Sequence, residues 1–473
     1  MITFHLGLGA AVTACAIVAA AGLETAVADD KASRATGLPE ASIATSLPGN
    51  GDIGGHRARL AGHGVTYGVN YIGEVWRNPS GGVSRATVAD GRLELVVDAD
   101  FNKLLGWQGA SFHVNGYYIQ SSSRQDDTGQ YGLSSRHIQN LMTISNIEAF
   151  PSTRLFEAWL QQKLFEGRVS IRLGQLAADS EFAVSEHAGQ FVNGTFGWPV
   201  IGGANLVNGG PAYPLATPGA RLQVDVTDRI SLLAGVFNGD PAGRGAEQDP
   251  QRRNRHGFNW QAKDKPFAIA EAQVNWNREE GSAGLAGTFK LGIWHHFGSF
   301  EDQRIVADGL SLAVSAEDAR RREGNPGFYA VLDQQLYRAG GMGLGAFFRV
   351  ATMPSDRNLV DFTFDTGLKA WGFMPGRKDD SAGLALSYAR ISDRARALDR
   401  DLNLANDLSA AVRDYELTVE ANYTAQIVPG WTVQPVFQYI WHPGGHAIDP
   451  TDVDATKAIK DAAVVGARTT INY

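Results

Sequence analysis

The chain has 473 residues, of which 55 are glycine and 10% are aromatic, and its formal net charge is −8. A mean hydropathy of −0.18 is far too low for a bundle of membrane helices, and beyond the N-terminus no stretch reaches about 18 consecutive apolar residues, so any membrane crossing falls to strands. No basic block suggests nucleic acid, and the single cysteine, Cys15, excludes a disulfide framework and a thiolate metal site.

In chain order, residues 6–23 are almost wholly small or apolar, and Ala26-Val27-Ala28 supplies an A-x-A cleavage site. Residues 1–28 therefore read as a secretory signal peptide, with a mature start near Asp29. The n-region is poor in charge, with His5 its one basic group. A membrane anchor and a lipoprotein signal ending at Cys15 are the alternatives. Gly and Ala dilute the apolar run against the first, and the long apolar run after Cys15 argues against the second. Residues 29–60, with Pro39, Pro48 and Gly49-Asn50-Gly51, are polar and irregular. They read as a short N-terminal periplasmic segment, or plug, outside the wall of the domain that follows.

From Val65 to Tyr473 apolar and polar residues alternate over about ten positions and then give way to a turn. Ala268, Ala270, Ala272, Val274 and Trp276 alternate with Glu271, Gln273 and Asn275. Leu417, Val419 and Ala421 alternate with Glu416, Thr418, Glu420 and Asn422. Sixteen such strands are expected, at 65–76, 91–100, 109–119, 154–164, 168–174, 219–226, 230–237, 267–277, 286–297, 327–337, 341–352, 361–372, 381–391, 413–425, 431–441 and 463–473. Residues 61–473 thus read as one all-β domain, a transmembrane antiparallel β-barrel. A soluble sandwich would also alternate. The strands, however, approach the ~9–11 residues of a tilted membrane strand. Aromatics at strand ends (Trp276, Trp294, Phe297, Trp431, Trp441 and Tyr473) suit the two membrane–water boundaries. Short connections such as Val428-Pro429-Gly430 alternate with long ones at 120–153, 175–218, 298–326 and 442–462, as periplasmic turns and outer loops do. The last strand, ending on Tyr473, is the expected signal for the outer-membrane insertion machinery, with lipid around the barrel.

The polar faces carry Glu74, Glu94, Asp98, Glu157, Asp225, Glu271, Glu416 and Glu420 against Arg92, Arg172, Arg221, Arg349 and Arg468. An anion channel would show an excess of cations in its lumen, so this mixture suits neutral polyols. The longest connection, 175–218, holds Asp179, Glu181, Asn193, Trp198 and Tyr213, and it is too long for a plain outer loop. Carboxylates and guanidinium groups hydrogen-bond hydroxyls well, and aromatic faces stack on sugar rings. This segment is expected to fold inward as a pore constriction, with Arg172 and Arg221 on the adjoining walls. An external lid and simple wall salt bridges are the bland alternatives.

Several strings carry a family resemblance. They include Tyr71-Ile72-Gly73-Glu74, Leu105-Gly106-Trp107-Gln108-Gly109, Ile171-Arg172-Leu173-Gly174-Gln175-Leu176, Phe196-Gly197-Trp198-Pro199, Phe237-Asn238-Gly239-Asp240-Pro241 and Trp441-His442-Pro443-Gly444-Gly445. In this order, from about residue 55 to 473, they resemble the carbohydrate-selective porin (OprB) family. The resemblance implies a sixteen-stranded outer-membrane porin for passive diffusion of glucose and related small sugars. Tyr473 departs from the usual terminal Phe, and 298–326 and 393–412 carry no family strings.

A general or anion-selective porin on the same barrel, and an outer-membrane barrel enzyme, are the competing functions. Catalysis finds no Gly-x-Ser-x-Gly elbow and no other placeable constellation. His295 and His296 are adjacent, so on a strand they face opposite sides and cannot share a metal. Asp449, Asp452 and Asp454 lack the Gly and Glu of a calcium loop. No cofactor and no metal site are identified, and both a monomer and a homotrimer are open.

Overall fold

Leu291 and Ile293 are exposed, whereas Lys290 and Trp294 on the same strand are buried. The same switch repeats along the chain and gives the wall an apolar outer face and a filled inner one. The computed structural model describes residues 41–123, 130–243, 249–279 and 281–473. The expected signal peptide at 1–28 lies outside the described residues, as do positions 29–40 of the segment after it. The strands are β1 (Val65–Ser80), β2 (Thr87–Asp100), β3 (Ala110–Ser121), β4 (Ser152–Leu164), β5 (Val169–Leu176), β6 (Thr217–Asp225), β7 (Ile230–Phe237) and β8 (Phe267–Trp276), followed by β9 (Gly287–Val306), β10 (Ala319–Ala339), β11 (Met342–Thr352), β12 (Val360–Trp371), β13 (Ser381–Ile391), β14 (Tyr415–Val428), β15 (Trp431–Trp441) and β16 (Ala462–Asn472).

Each strand pairs antiparallel with the next, and β16 returns to β1, so the sheet is closed. The seam runs from Asn70 opposite Asn472 to Ser80 opposite Ala463. Val69 and Tyr473 extend it by exchanging both backbone bonds, at 2.9 and 2.8 Å. Closure pairs every edge, which a sheet in hydrocarbon requires. Leu93, Leu95, Val236, Leu291, Phe348, Leu368, Leu384 and Phe437 form part of an exposed apolar surface, the face a bilayer covers. No described helix is long and apolar enough to cross a membrane.

Turn chemistry sets the alternation of connections. β10 and β11 are joined by Gly340 and Gly341, both with positive φ (59° and 85°). That conformation is the tight hairpin turn that glycine adopts without strain. At the same end of the barrel, residues 41–62 form short 3₁₀ turns and a helix, α1 (His56–Gly62). The Arg57 guanidinium lies over the rings of Tyr67 and Tyr473, at 4.1 and 4.9 Å, and donates to the Tyr67 carbonyl at 2.7 Å. The Tyr473 hydroxyl donates to the Gly51 carbonyl at 2.9 Å. The segment before β1 is therefore tied to Tyr473 beneath the seam.

All sixteen expected strands are present, but two are much longer. β9 and β10 run past the expected ends to Val306 and back from Ala319, so most of 298–326 is a protruding hairpin. There Arg321 pairs with Glu301 at 3.1 Å and Arg322 with Asp302 at 2.7 Å. Outside the membrane neither face meets lipid, and charged pairs replace the alternation that marks the other strands. The second segment without family strings holds a helix, α2 (Asp393–Ala405), docked on this hairpin by Arg304 and Ser311, which both bond Asp401. Trp294 is a correction: it does not mark a membrane boundary. Its position alternates with Ile293, so the indole points inward, 5% exposed and stacked on Tyr329 at 5.5 Å.

Deleting residues 463–473 removes the partner of both β15 and β1. The truncated protein is expected to lose the fast-migrating folded band that unheated barrels show on detergent gels. Retention of that band would disprove the seam.

Candidate functional site

Among the described residues, two connections enter the lumen, at 130–151 and 177–216. The second is fastened by the inward carboxylates of the wall. Glu157 on β4 accepts from the Ala177 amide at 2.9 Å, and Glu271 on β8 from that of Ala183 at 2.8 Å. Asp333 on β10 accepts from the Ser185 hydroxyl (2.6 Å) and from the amides of Glu186 and His187 (3.2 and 3.1 Å). Glu420 on β14 takes the amides of Val192 and Asn193, both at 2.8 Å. Arg349 on β11 works in the opposite sense, donating to the carbonyls of Ala183 and Gly197 at 3.0 Å and to that of Thr195. A hydrogen bond to a charged group contributes roughly 1.5–3 kcal/mol, so this set holds the segment firmly against the wall. Apolar packing adds a second hold: Phe182, Val200, Ile201 and Leu206 pack on a one-sided apolar patch of the wall that includes Leu233, Phe267, Ile269, Trp294 and Val331.

The first inner connection is held in the same way. Glu416 on β14 accepts from the amides of Leu141 and Met142, both at 2.8 Å. Glu74 on β1 accepts from the Ser145 hydroxyl at 2.6 Å and from Arg468 of β16 at 2.5 Å, and Arg468 also donates to Asn146 at 2.6 Å.

Between the two segments lies a cavity of about 530 Å³, within the ~300–1,000 Å³ of small-molecule sites. Its lining includes Arg92, Tyr117, Glu148, Asp179, Trp198 and Tyr213. The Arg92 guanidinium lies over Tyr117 at 4.6 Å and Tyr213 at 5.4 Å. Tyr213 is fixed by its hydroxyl, which donates to the Ile147 carbonyl at 3.0 Å. The Asp179 carboxylate accepts from the Tyr213 amide at 2.8 Å. Burial raises the Asp179 carboxyl to about 6, against the opposing pull of that amide and of Arg92. Burial and the nearby Asp90 carboxylate push Glu148 to about 8, although the Ser134 hydroxyl and amide oppose them. The Trp198 indole N–H has no hydrogen-bond partner among the described residues. The site thus offers a cationic plane, aromatic rings and a carboxylate, while the Trp198 indole nitrogen is itself buried.

Of the expected site residues, Asp179, Trp198 and Tyr213 line this cavity. Arg172, Glu181 and Arg221 do not; they form a separate cluster. The Glu181 carboxylate bridges Arg172 and Arg221, at 2.5 Å to each. Arg172 lies over Trp159 at 4.0 Å, and Arg221 donates to the Ser170 hydroxyl at 3.0 Å. Asn193 is fully buried, with its side chain spent on the Met142 carbonyl, Gln438 and the Thr195 amide. Among the lumen carboxylates, Glu74, Glu157, Glu271 and Glu420 anchor the inner connections, and Glu94 accepts from Asn115 at 2.7 Å. Sequence reasoning missed Tyr117, Glu148 and the inward path of 130–151. The one signal was that connection's length, which an outer loop explains equally well.

A closed sixteen-stranded barrel, its lumen narrowed by inner segments around a polar and aromatic cavity, defines an outer-membrane channel of the porin class. The model of the carbohydrate-selective porin, OprB family, matches residues 85–473, and the chain belongs to that family. Porin B of Pseudomonas aeruginosa is 22% identical over 427 residues, covering 87% of this chain and 89% of that protein. The high-pH structure of Pseudomonas putida OprB superposes with a TM-score of 0.77 at 21% identity, covering 90% of this chain and 98% of the other. Its low-pH structure gives a TM-score of 0.51 at 17% identity, over 89% and 97%. The protein is thus an outer-membrane porin, and family and fold both point to a channel.

Two measurements follow from the site. Glu420→Ala removes the anchor of Val192 and Asn193, so residues 177–216 should become cleavable by protease and the open-channel current noisier. Unaltered protease resistance and current would show that the apolar packing suffices. The raised carboxyls also fix a sign. Asp179 is neutral below about pH 6 and charged above it, so cation preference, read from the reversal potential in a salt gradient, should rise through that pH. In the folded state Asp179 binds protons that the unfolded chain has already released, so its contribution to stability falls over the same rise, from about pH 4 to 6. Asp179→Asn should remove this step in selectivity, and a step of unchanged size would assign it to another group.

Proposed function

We propose that the cavity between the inner segments is where a pyranose pauses during passive diffusion of glucose and related small neutral sugars. The observation that carries this reading is the Arg92 guanidinium laid over Tyr117 and Tyr213 beside the Asp179 carboxylate, inside a channel of this family. Aromatic rings, Trp198 among them, take the C–H side of a sugar ring, while Asp179 and Arg92 meet its hydroxyls. Arg172, Glu181, Arg221 and Asn193 set the shape of the opening by holding residues 177–216 in place. The terminal strand, ending on Tyr473, is in this reading the one that the insertion machinery recognises.

The test is glucose block of ion current through the protein in planar bilayers. Removing a charged hydrogen bond costs roughly 1.5–3 kcal/mol, about ten- to a hundredfold in affinity. Asp179→Ala is expected to weaken block by that factor with the channel still conducting, and Trp198→Ala and Tyr213→Ala to weaken it as well. Arg172→Ala should alter conductance more than sugar affinity. Unchanged block in the Asp179, Trp198 and Tyr213 variants, with conductance intact, would move the sugar site elsewhere.

A further inference from the structure

The outer rim carries a cluster that neither the channel nor the sugar site uses. Asp414 precedes β14, and His442 and His446 open the connection between β15 and β16. One ligand atom from each lies within 4.8 Å of the other two. His442 Nδ1 is 2.8 Å from one Asp414 oxygen, and His446 Nδ1 is 3.9 Å from the other. The two imidazoles stack with centroids 4.2 Å apart and planes 14° apart. A hydrogen bond accounts for the shorter distance, but 3.9 Å is too long for one. Two atoms bound tetrahedrally to one zinc ion, each at about 2.0–2.1 Å, stand roughly 3.3 Å apart. The two observed distances run to different oxygens of the carboxylate and are of that order, so rotation of the imidazoles out of their stack would bring one donor atom from each residue to a common ion.

Backbone conformation supplies a second observation. His442 and His446 both have positive φ, 52° and 70°. Side chains seldom adopt this conformation, and it persists only where the surroundings impose it. The turn Pro443–His446 is held by backbone bonds from the His446 amide to the His442 carbonyl and from the Asp414 amide to the Gly445 carbonyl, both at 2.9 Å. The strained backbone thus turns two imidazoles, four positions apart, toward one carboxylate. Asp414 and His446 are each more than a third exposed, which leaves an ion open access and room for water ligands.

We propose that Asp414, His442 and His446 bind a divalent transition-metal ion, zinc being the reference ion. Two imidazoles and one carboxylate suit zinc, nickel or copper, whereas calcium and magnesium prefer all-oxygen shells. The bound ion ties the end of the 392–414 connection to the start of 442–461. That tie lies beside Glu416, which holds Gly444 as well as Leu141 and Met142 of the first inner segment. Metal binding at the rim therefore stiffens the anchor of a segment that narrows the pore.

The test is zinc titration of the full-length, chelator-treated protein in detergent, followed by calorimetry. Wild type should bind one equivalent, and calcium should give no comparable heat. Asparagine tolerates positive φ, so His442→Asn and His446→Asn preserve the turn and remove the imidazoles. Each, like Asp414→Asn, should weaken zinc binding at least tenfold. Zinc should also raise the temperature at which the folded gel band is lost in wild type, and not in His446→Asn. Two results would overturn the site: no zinc binding to wild type, or binding unchanged in both histidine variants. The folded band of His446→Asn without zinc separates loss of the ligand from loss of the fold.

Discussion

A segment that runs through the inside of a barrel carries backbone amides that no strand can pair, and leaving them buried without partners is expensive. This protein meets that constraint with carboxylates on the inner wall. Glu157, Glu271, Asp333, Glu416 and Glu420 each take one or more amides of an inner segment. Arg349 supplies the converse, a cation that gathers carbonyls. The fastening is polar along much of its length and apolar on one side, where Phe182 and Val200 meet Phe267 and Trp294. The cavity exists because these two kinds of contact fix where each segment stops.

This arrangement changes what the charges in the lumen mean. Counted along the sequence, the acids and bases of the wall describe an average environment for solute. In the structure most of them are already engaged. Glu420 is fully buried among Val192, Asn193 and Asn422, and Arg349 is almost as buried beside Asp365. Of the wall charges read from the sequence, Arg92 and Arg468 line the cavity, together with Glu148 and Asp179 from the inner segments. The charge that faces the cavity therefore follows from placement rather than from the total charge of the wall.

Much of the fold was legible because a wall between lipid and polar contents imposes period two on every strand. All sixteen strands and the inward path of 177–216 follow from that rule and from connection length. The rule fails where its cause is absent. Beyond the membrane, β9 and β10 carry charges on both faces, and their length was hidden. Trp294 read as a boundary residue because an inward apolar position makes sense only once the segment covering it is known. At the site, Asp179, Trp198 and Tyr213 were found by residue type within one connection. Tyr117 and Glu148 come from other parts of the chain, and only the folded path of 130–151 brings them together. Salt bridging was one of the readings open for Arg172 and Arg221, but their partner Glu181 was not legible, since spacing along a strand does not say which charge finds which partner.

The seam has a consequence for timing. Asn70 and Asn472 are 402 positions apart, yet their side chains meet at 2.5 Å. Every other pair of neighbouring strands is joined by one continuous connection, whereas this pair must wait until β16 has been made. Until then the first strand has one edge without a partner, and a nearly complete sheet offers two edges to any other chain it meets. The journey across the periplasm must therefore be made with the chain kept from folding. Completion is then a single late event that commits the whole wall at once.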